Sequence, residues 1–141
     1  MKFFFDTSVL IAAVQVQHVH HQPSAAAYLK ADKKNSSCAA HTLAEVYATL
    51  TRLPGKQRMG CDQALLFLDD IRRRLTIIPL DEEDYCSAIT SAAAQGVIGG
   101  TIYDALLAQC ALKANAKTIY TWDLNHFRLL GPDVAQRIQT P

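Results

Sequence analysis

Hydrophobic and polar positions follow two alternating periods along this chain. Short apolar runs of strand length stand at Lys2 to Phe5, Ser36 to Ala40, Thr76 to Pro79 and Thr118 to Thr121. Between them apolar residues recur every three or four positions, the spacing of one helix face. The clearest case starts at Thr42, where Leu43, Val46, Tyr47, Leu50 and Leu53 form a stripe that Pro54-Gly55 ends. Ser8 is placed to cap a helix through Val9, Leu10 and Ile11. His18 to Gln22 reads as a loop, and Pro23 opens a helix containing Tyr28 and Leu29. Leu65, Leu66, Leu68 and Ile71 define an amphipathic helix that closes on Arg72-Arg73-Arg74. Asp81-Glu82-Glu83-Asp84 begins another, with negative charge at the positive end of the helix dipole. After a loop at Gly96 to Gly100, a nearly all-apolar helix runs from Thr101 to about Lys113, and the tail past Thr121 is ambiguous. Strands alternating with helices, without hairpin turns, predict an α/β sandwich on a central parallel sheet.

Composition bounds what this fold can be. With 141 residues, 50% of them hydrophobic, residues 1–141 have room for one core and are read as a single domain. A net charge of +1 gives no bulk basic field, so a nucleic-acid partner must be held by a local patch. Met1-Lys2-Phe3-Phe4-Phe5 starts like a leader, but Asp6 interrupts it before an apolar region forms. The uncharged run Tyr85 to Tyr103 is too polar to span a membrane, so a soluble cytoplasmic protein without a membrane partner is expected. Cys38, Cys61, Cys86 and Cys110 are far apart, which predicts free thiols, several of them buried, rather than zinc ligands or disulfides.

The acids carry the chemistry. Of thirteen Asp and Glu residues, four stand in otherwise uncharged segments: Asp6 between Lys2 and Lys30, Glu45 between Lys34 and Arg52, Asp104 between Asp84 and Lys113, and Asp123 between Lys117 and Arg128. A carboxylate in a largely apolar segment is costly to bury unless something pairs with it. No Lys or Arg is near in sequence, so a shared divalent cation is the partner that satisfies all four. Asp6 and Asp123 follow predicted strand ends, the edge where open parallel sheets bind ligands. Glu45 and Asp104 sit in the first turns of predicted helices. Structural roles compete with this reading. Thr42-x-x-Glu45 and Thr101-x-x-Asp104 both fit a capping box, Asp6 fits a strand-end turn, and Asp123 fits a cap. A capping acid, however, has no reason to avoid other charges.

The apolar strand into Asp6-Thr7-Ser8, the helix with Glu45, the start Tyr103-Asp104-Ala105-Leu106, and Thr121-Trp122-Asp123 before His126-Phe127 resemble the PIN-domain nucleases. The similarity runs from Phe3 to about Phe127, and the nearest subgroup is the VapC-type toxins of toxin–antitoxin pairs. The resemblance implies a PIN-like three-layer sandwich with a parallel sheet of about four to five short strands. It also implies an endoribonuclease that hydrolyses RNA phosphodiester bonds, neutralised by a cognate antitoxin and commonly homodimeric, with a contact expected around Leu65, Leu68 and Ile71. The family's acids carry over onto Asp6, Glu45, Asp104 and Asp123. Asp6 and Asp104 are expected as principal metal ligands, Asp123 as a direct or water-mediated one, and Glu45 as the residue that positions or deprotonates water. Oxygen donors select Mg²⁺ or Mn²⁺ over zinc. Thr7, Ser8 and Thr121 are expected to orient the carboxylates. One departure stands out. Many members carry a second acid two residues past the fourth, and here that position is Asn125, expected to support the site by accepting a hydrogen bond or binding a metal-held water without adding charge.

Weaker signals remain. Arg52, Lys56 and Arg58 around Pro54-Gly55 could grip phosphates or form a solvated loop. His18, His20 and His21 read as a solvated loop cluster that could meet substrate at the Asp6 edge, and Trp122 as a core residue rather than one that stacks on a base. Two other functions compete. A phosphatase working through an aspartyl-phosphate needs D-x-D at the first strand end, which Asp6-Thr7-Ser8 lacks. A catalytically weak PIN-type module that only binds RNA or protein would be expected to have lost acids, and all four are present.

Overall fold

The computed structural model describes residues 1–141. Its strands are β1 (Phe3–Phe5), β2 (Ser36–Ala39), β3 (Thr76–Ile78), β4 (Thr118–Tyr120) and β5 (Ile138–Gln139). They form one sheet in the order β3-β2-β1-β4-β5, parallel throughout. The helices are α1 (Thr7–Val14), α2 (His21–Leu29), α3 (Ala40–Thr51), α4 (Cys61–Arg74), α5 (Glu82–Ala94), α6 (Ile102–Lys113), α7 (Leu124–Arg128) and α8 (Pro132–Ala135). Successive strand residues point to opposite faces, and the central strand shows it. Phe5 joins Val9, Leu10, Val46, Leu50 and Ile71 on the α1–α4 side, while Phe4 joins Leu107, Ala111, Ile119 and Phe127 on the other. Because both faces are covered, β1 and β2 are apolar or small throughout instead of alternating. Chain order reverses between β1 and β4, and that switch point is where an open parallel sheet forms its crevice. No helix is long and apolar enough to cross a membrane.

Several local expectations are corrected. β2 ends at Ala39 and α3 starts at Ala40 rather than at Thr42. Thr42 is fully buried with its hydroxyl against Thr7, so it cannot cap. Ser8 lies inside α1, and its hydroxyl bonds the Asp6 carboxylate instead of a helix N–H. α2 begins at His21, two residues before Pro23, since a proline in a first turn lacks only an N–H that has no helical partner. In α4 the buried residues are Ala64 and Ile71, leaving Leu65 and Leu66 exposed. Ile71 is therefore core and cannot belong to a dimer surface. Arg72 and Arg74 pair with Asp69 and Asp70 on their own helix. Cys38 and Cys110 are buried free thiols, and Cys61 and Cys86 are exposed. The ambiguous tail supplies α7, α8 and the edge strand β5, which is tied on by Ile119 N–H to Arg137 O and Thr121 N–H to Gln139 O.

Candidate active site

Asp6 and Asp123 leave the C-terminal ends of β1 and β4, neighbours across the switch point, and reach one open cavity of about 560 Å³. Glu45 enters it from the second turn of α3 and Asp104 from the first turn of α6. Thr7, Ser8, Thr49, His18, His20 and Trp122 also line it, and no Lys or Arg does. None of the four acids serves as a helix cap. Asp6 and Asp123 occupy N-cap positions without a side-chain cap bond, and neither Thr42–Glu45 nor Thr101–Asp104 closes a box.

Asp6 is the most constrained of the four. Only 2% of it is exposed, and its Oδ2 accepts from Ser8 Oγ and Thr121 Oγ1, each at 2.8 Å. Those hydroxyls in turn accept the N–H groups of Trp122 (3.1 Å) and Asp123 (2.9 Å), so the ends of β1 and β4 are cross-linked through Asp6. Its Oδ1 takes no hydrogen bond from the protein and is left to the cavity. Burial pushes the Asp6 carboxyl up to about 7 against the two hydroxyl bonds, and the charges of Asp123 and Asp104 push the same way.

Glu45 is held by Thr7. The Thr7 hydroxyl donates to Glu45 Oε1 at 3.0 Å and accepts from Thr42 Oγ1 at 3.1 Å. Burial raises the Asp104 pKa, opposed by His126 and reinforced by Asp123 and Glu45. The His126 contact was not anticipated: Nδ1 lies 3.3 Å from Asp104 Oδ2. Its signal in the sequence was an imidazole one short helical turn past Asp123. On the other rim, the His20 ring stacks on Trp122 with centroids 3.7 Å apart and planes 6° apart. Trp122 Nε1–H donates to buried Ser24 at 2.8 Å. Trp122 is therefore half core and half cavity wall, and the histidines are partly covered instead of solvated. Burial, followed by His20 and His21, lowers the His18 pKa.

Four other candidates lie outside this cavity. Asn125 faces an adjoining cavity and accepts from Arg128. Lys56 lines a different neighbour, whereas Arg52 and Arg58 are exposed and line neither cavity, the Arg58 Nε–H being taken by Leu53 O. The oxygen-only donor set of the four acids matches a hard cation such as Mg²⁺ or Mn²⁺ in chemistry. They ring a common space, though no three His, Cys, Asp or Glu side chains are drawn in to the spacing of a formed metal site.

The PIN domain family matches residues 3–130. Ribonuclease VapC40 of Mycobacterium tuberculosis is 33% identical over 114 residues, which is 81% of each chain. Among solved structures, VapC20 of M. tuberculosis, a toxin that cleaves the sarcin-ricin loop, superposes with a TM-score of 0.72 at 15% identity, covering 89% of this chain and 92% of that one. VapBC2 of Rickettsia felis, bound to a DNA fragment from its promoter, superposes with a TM-score of 0.67 at 21% identity, covering 99% and 98%. FitAcB of Neisseria gonorrhoeae gives 0.66 at 19% identity, covering 99% and 97%. These structures share the fold, and the family model and the ribonuclease relative reach further, so that the chain belongs to the PIN-domain family.

Proposed function

We propose that this protein is a metal-dependent endoribonuclease that hydrolyses RNA phosphodiester bonds as the toxin of a toxin–antitoxin pair in the cytoplasm. One observation carries the reading: four carboxylates from otherwise uncharged segments line a single open cavity that has no Lys or Arg in its wall. A bound Mg²⁺ or Mn²⁺ would offset the phosphate charge and make its bound water more acidic. Asp6 and Asp104 would hold the cation, with Asp123 as a further direct or water-mediated ligand. Glu45, anchored by Thr7, orients and deprotonates the attacking water. Ser8 and Thr121 fix the Asp6 carboxylate so that its free oxygen faces the cavity. The likeness to the ribonuclease VapC40 and to the toxin VapC20 supports the ribonuclease and toxin parts of the reading. An antitoxin segment fits the same cavity, where an Arg would pair with the uncompensated acids. A homodimer would use the exposed Leu65 and Leu66 of α4.

The test is cleavage of single-stranded or loop RNA. Activity is expected with Mg²⁺ or Mn²⁺ and not with EDTA, and Asp6→Asn and Asp104→Asn should each abolish it at unchanged circular dichroism. EDTA-resistant cleavage, or full activity in Asp6→Asn, overturns the reading.

A further inference from the structure

Two more cavities share wall residues with the acid cavity. One, of about 310 Å³, is lined by Trp122, Asp123, Leu124, Asn125, His126 and Arg128, the first two in common with it. The other, of about 320 Å³, has His18 in common with it and contains Lys56. Each outer opening therefore adjoins the acid cavity. The acid cavity is lined by all four carboxylates, while each outer one carries a single Lys or Arg, the Arg128 cavity beside the shared Asp123. Trp122 stands between the acid cavity and the Arg128 cavity, held by Ser24 at its edge and His20 on its face. A single strand passing from the acid cavity into the adjoining Arg128 cavity would put one phosphate at the acids and a neighbouring one at a cation.

Three of the 14 Lys and Arg side chains form ion pairs, and Arg128 is among those that do not. Arg72, Arg74 and Lys113 each pair with an Asp. Arg128 makes no ion pair, and its one side-chain bond is to the neutral Asn125 Oδ1 at 3.3 Å. Asn125 is the residue of α7 that meets Arg128. An Asp there would lie three residues before Arg128 on α7, at the spacing of a helical ion pair, and would neutralise it. Asn in its place steers the guanidinium without cancelling its charge.

We propose that the Asn125–Arg128 cavity is a phosphate subsite for the nucleotide next to the scissile bond, with Arg128 as its cation and Asn125 as the residue that keeps it available. The proposal rests on the ribonuclease reading. The experiment measures the dissociation constant of a labelled single-stranded oligoribonucleotide by anisotropy in EDTA over a salt series. It compares the wild type with Arg128→Gln, Asn125→Asp and the control Lys117→Gln, whose charge lies at the start of β4, the far end of the sheet. Arg128→Gln should weaken binding several-fold and flatten the slope of log affinity against log salt by about 0.7, the loss of one single-strand phosphate contact. Asn125→Asp should do the same, and Lys117→Gln should change the affinity less than twofold. Equal effects of Arg128→Gln and Lys117→Gln would overturn the subsite, because only net charge would then matter. Metal-dependent cleavage without any binding in EDTA would also overturn it, while leaving the ribonuclease reading intact. A wild type that neither binds nor cleaves RNA would remove both.

Discussion

Replacing Asp6 by Asn should make the metal-free protein more stable at pH 8, although it removes a buried, doubly hydrogen-bonded side chain. Burial holds the folded-state carboxyl near 7, against an ordinary value of 3.8. The folded protein therefore keeps a proton that the unfolded chain has lost, and stability falls as pH rises from about 4 to about 7. The stabilisation is fully present below the unfolded value and gone above the folded one. At 1.36 kcal/mol per unit, the ionised carboxylate costs on the order of 4 kcal/mol at pH 8. Asn avoids that cost and can still accept from Ser8 and Thr121 through its own carbonyl oxygen. For 141 residues the unfolding entropy is about 0.3 kcal/mol per kelvin, so the variant should melt roughly 10 °C higher at pH 8. Near pH 4 the two proteins should melt within a few degrees of each other. The assay is a calorimetric or fluorescence melt at both pH values in EDTA. A second arm adds metal. If Mg²⁺ binds at about 1 mM, about 10 mM stabilises the wild type by roughly 1.4 kcal/mol, and the variant should lose most of that shift. An Asn variant that melts below wild type by the same margin at both pH values, with an unchanged Mg²⁺ shift, would refute the reasoning. Asp6 would then be a structural acceptor that joins β1 to β4.

Thr121→Val leaves the Asp123 N–H without its acceptor and takes one donor from Asp6. It should destabilise by about 1–3 kcal/mol in denaturant unfolding, more at pH 8 than at pH 5, because the ionised Asp6 loses the greater bond. An equal loss at both pH values would show that the Asp6 bond carries none of it. If α4 forms a homodimer, sedimentation of Leu65→Glu should show a monomer where the wild type is dimeric, while Ile71→Ala lowers stability by about 2–5 kcal/mol without changing the assembly. A wild type that remains monomeric at high concentration would remove the dimer.

The sequence by itself determined the class of the fold and singled out the four acids that line one cavity. Strand and helix periods are local properties, readable in β1 or in the α3 stripe wherever they end up in space. Charge isolation is also written along the chain, because a carboxylate destined for a shared pocket cannot have its partner beside it. Only the tertiary structure decided how these pieces meet. The two-residue strand β5 has no period of its own and exists because β4 offers it an edge. Thr42 looked like a cap from its spacing, but packing of α3 against α1 turned its hydroxyl to Thr7 and moved the helix start to Ala40. Likewise Ser8 and Thr121, 113 positions apart in the numbering, come to one oxygen of Asp6 through the β1–β4 pairing. His20 likewise comes to stack on Trp122, 102 positions further along the chain. Such contacts depend on strand order and helix packing, which a linear pattern of residues does not contain.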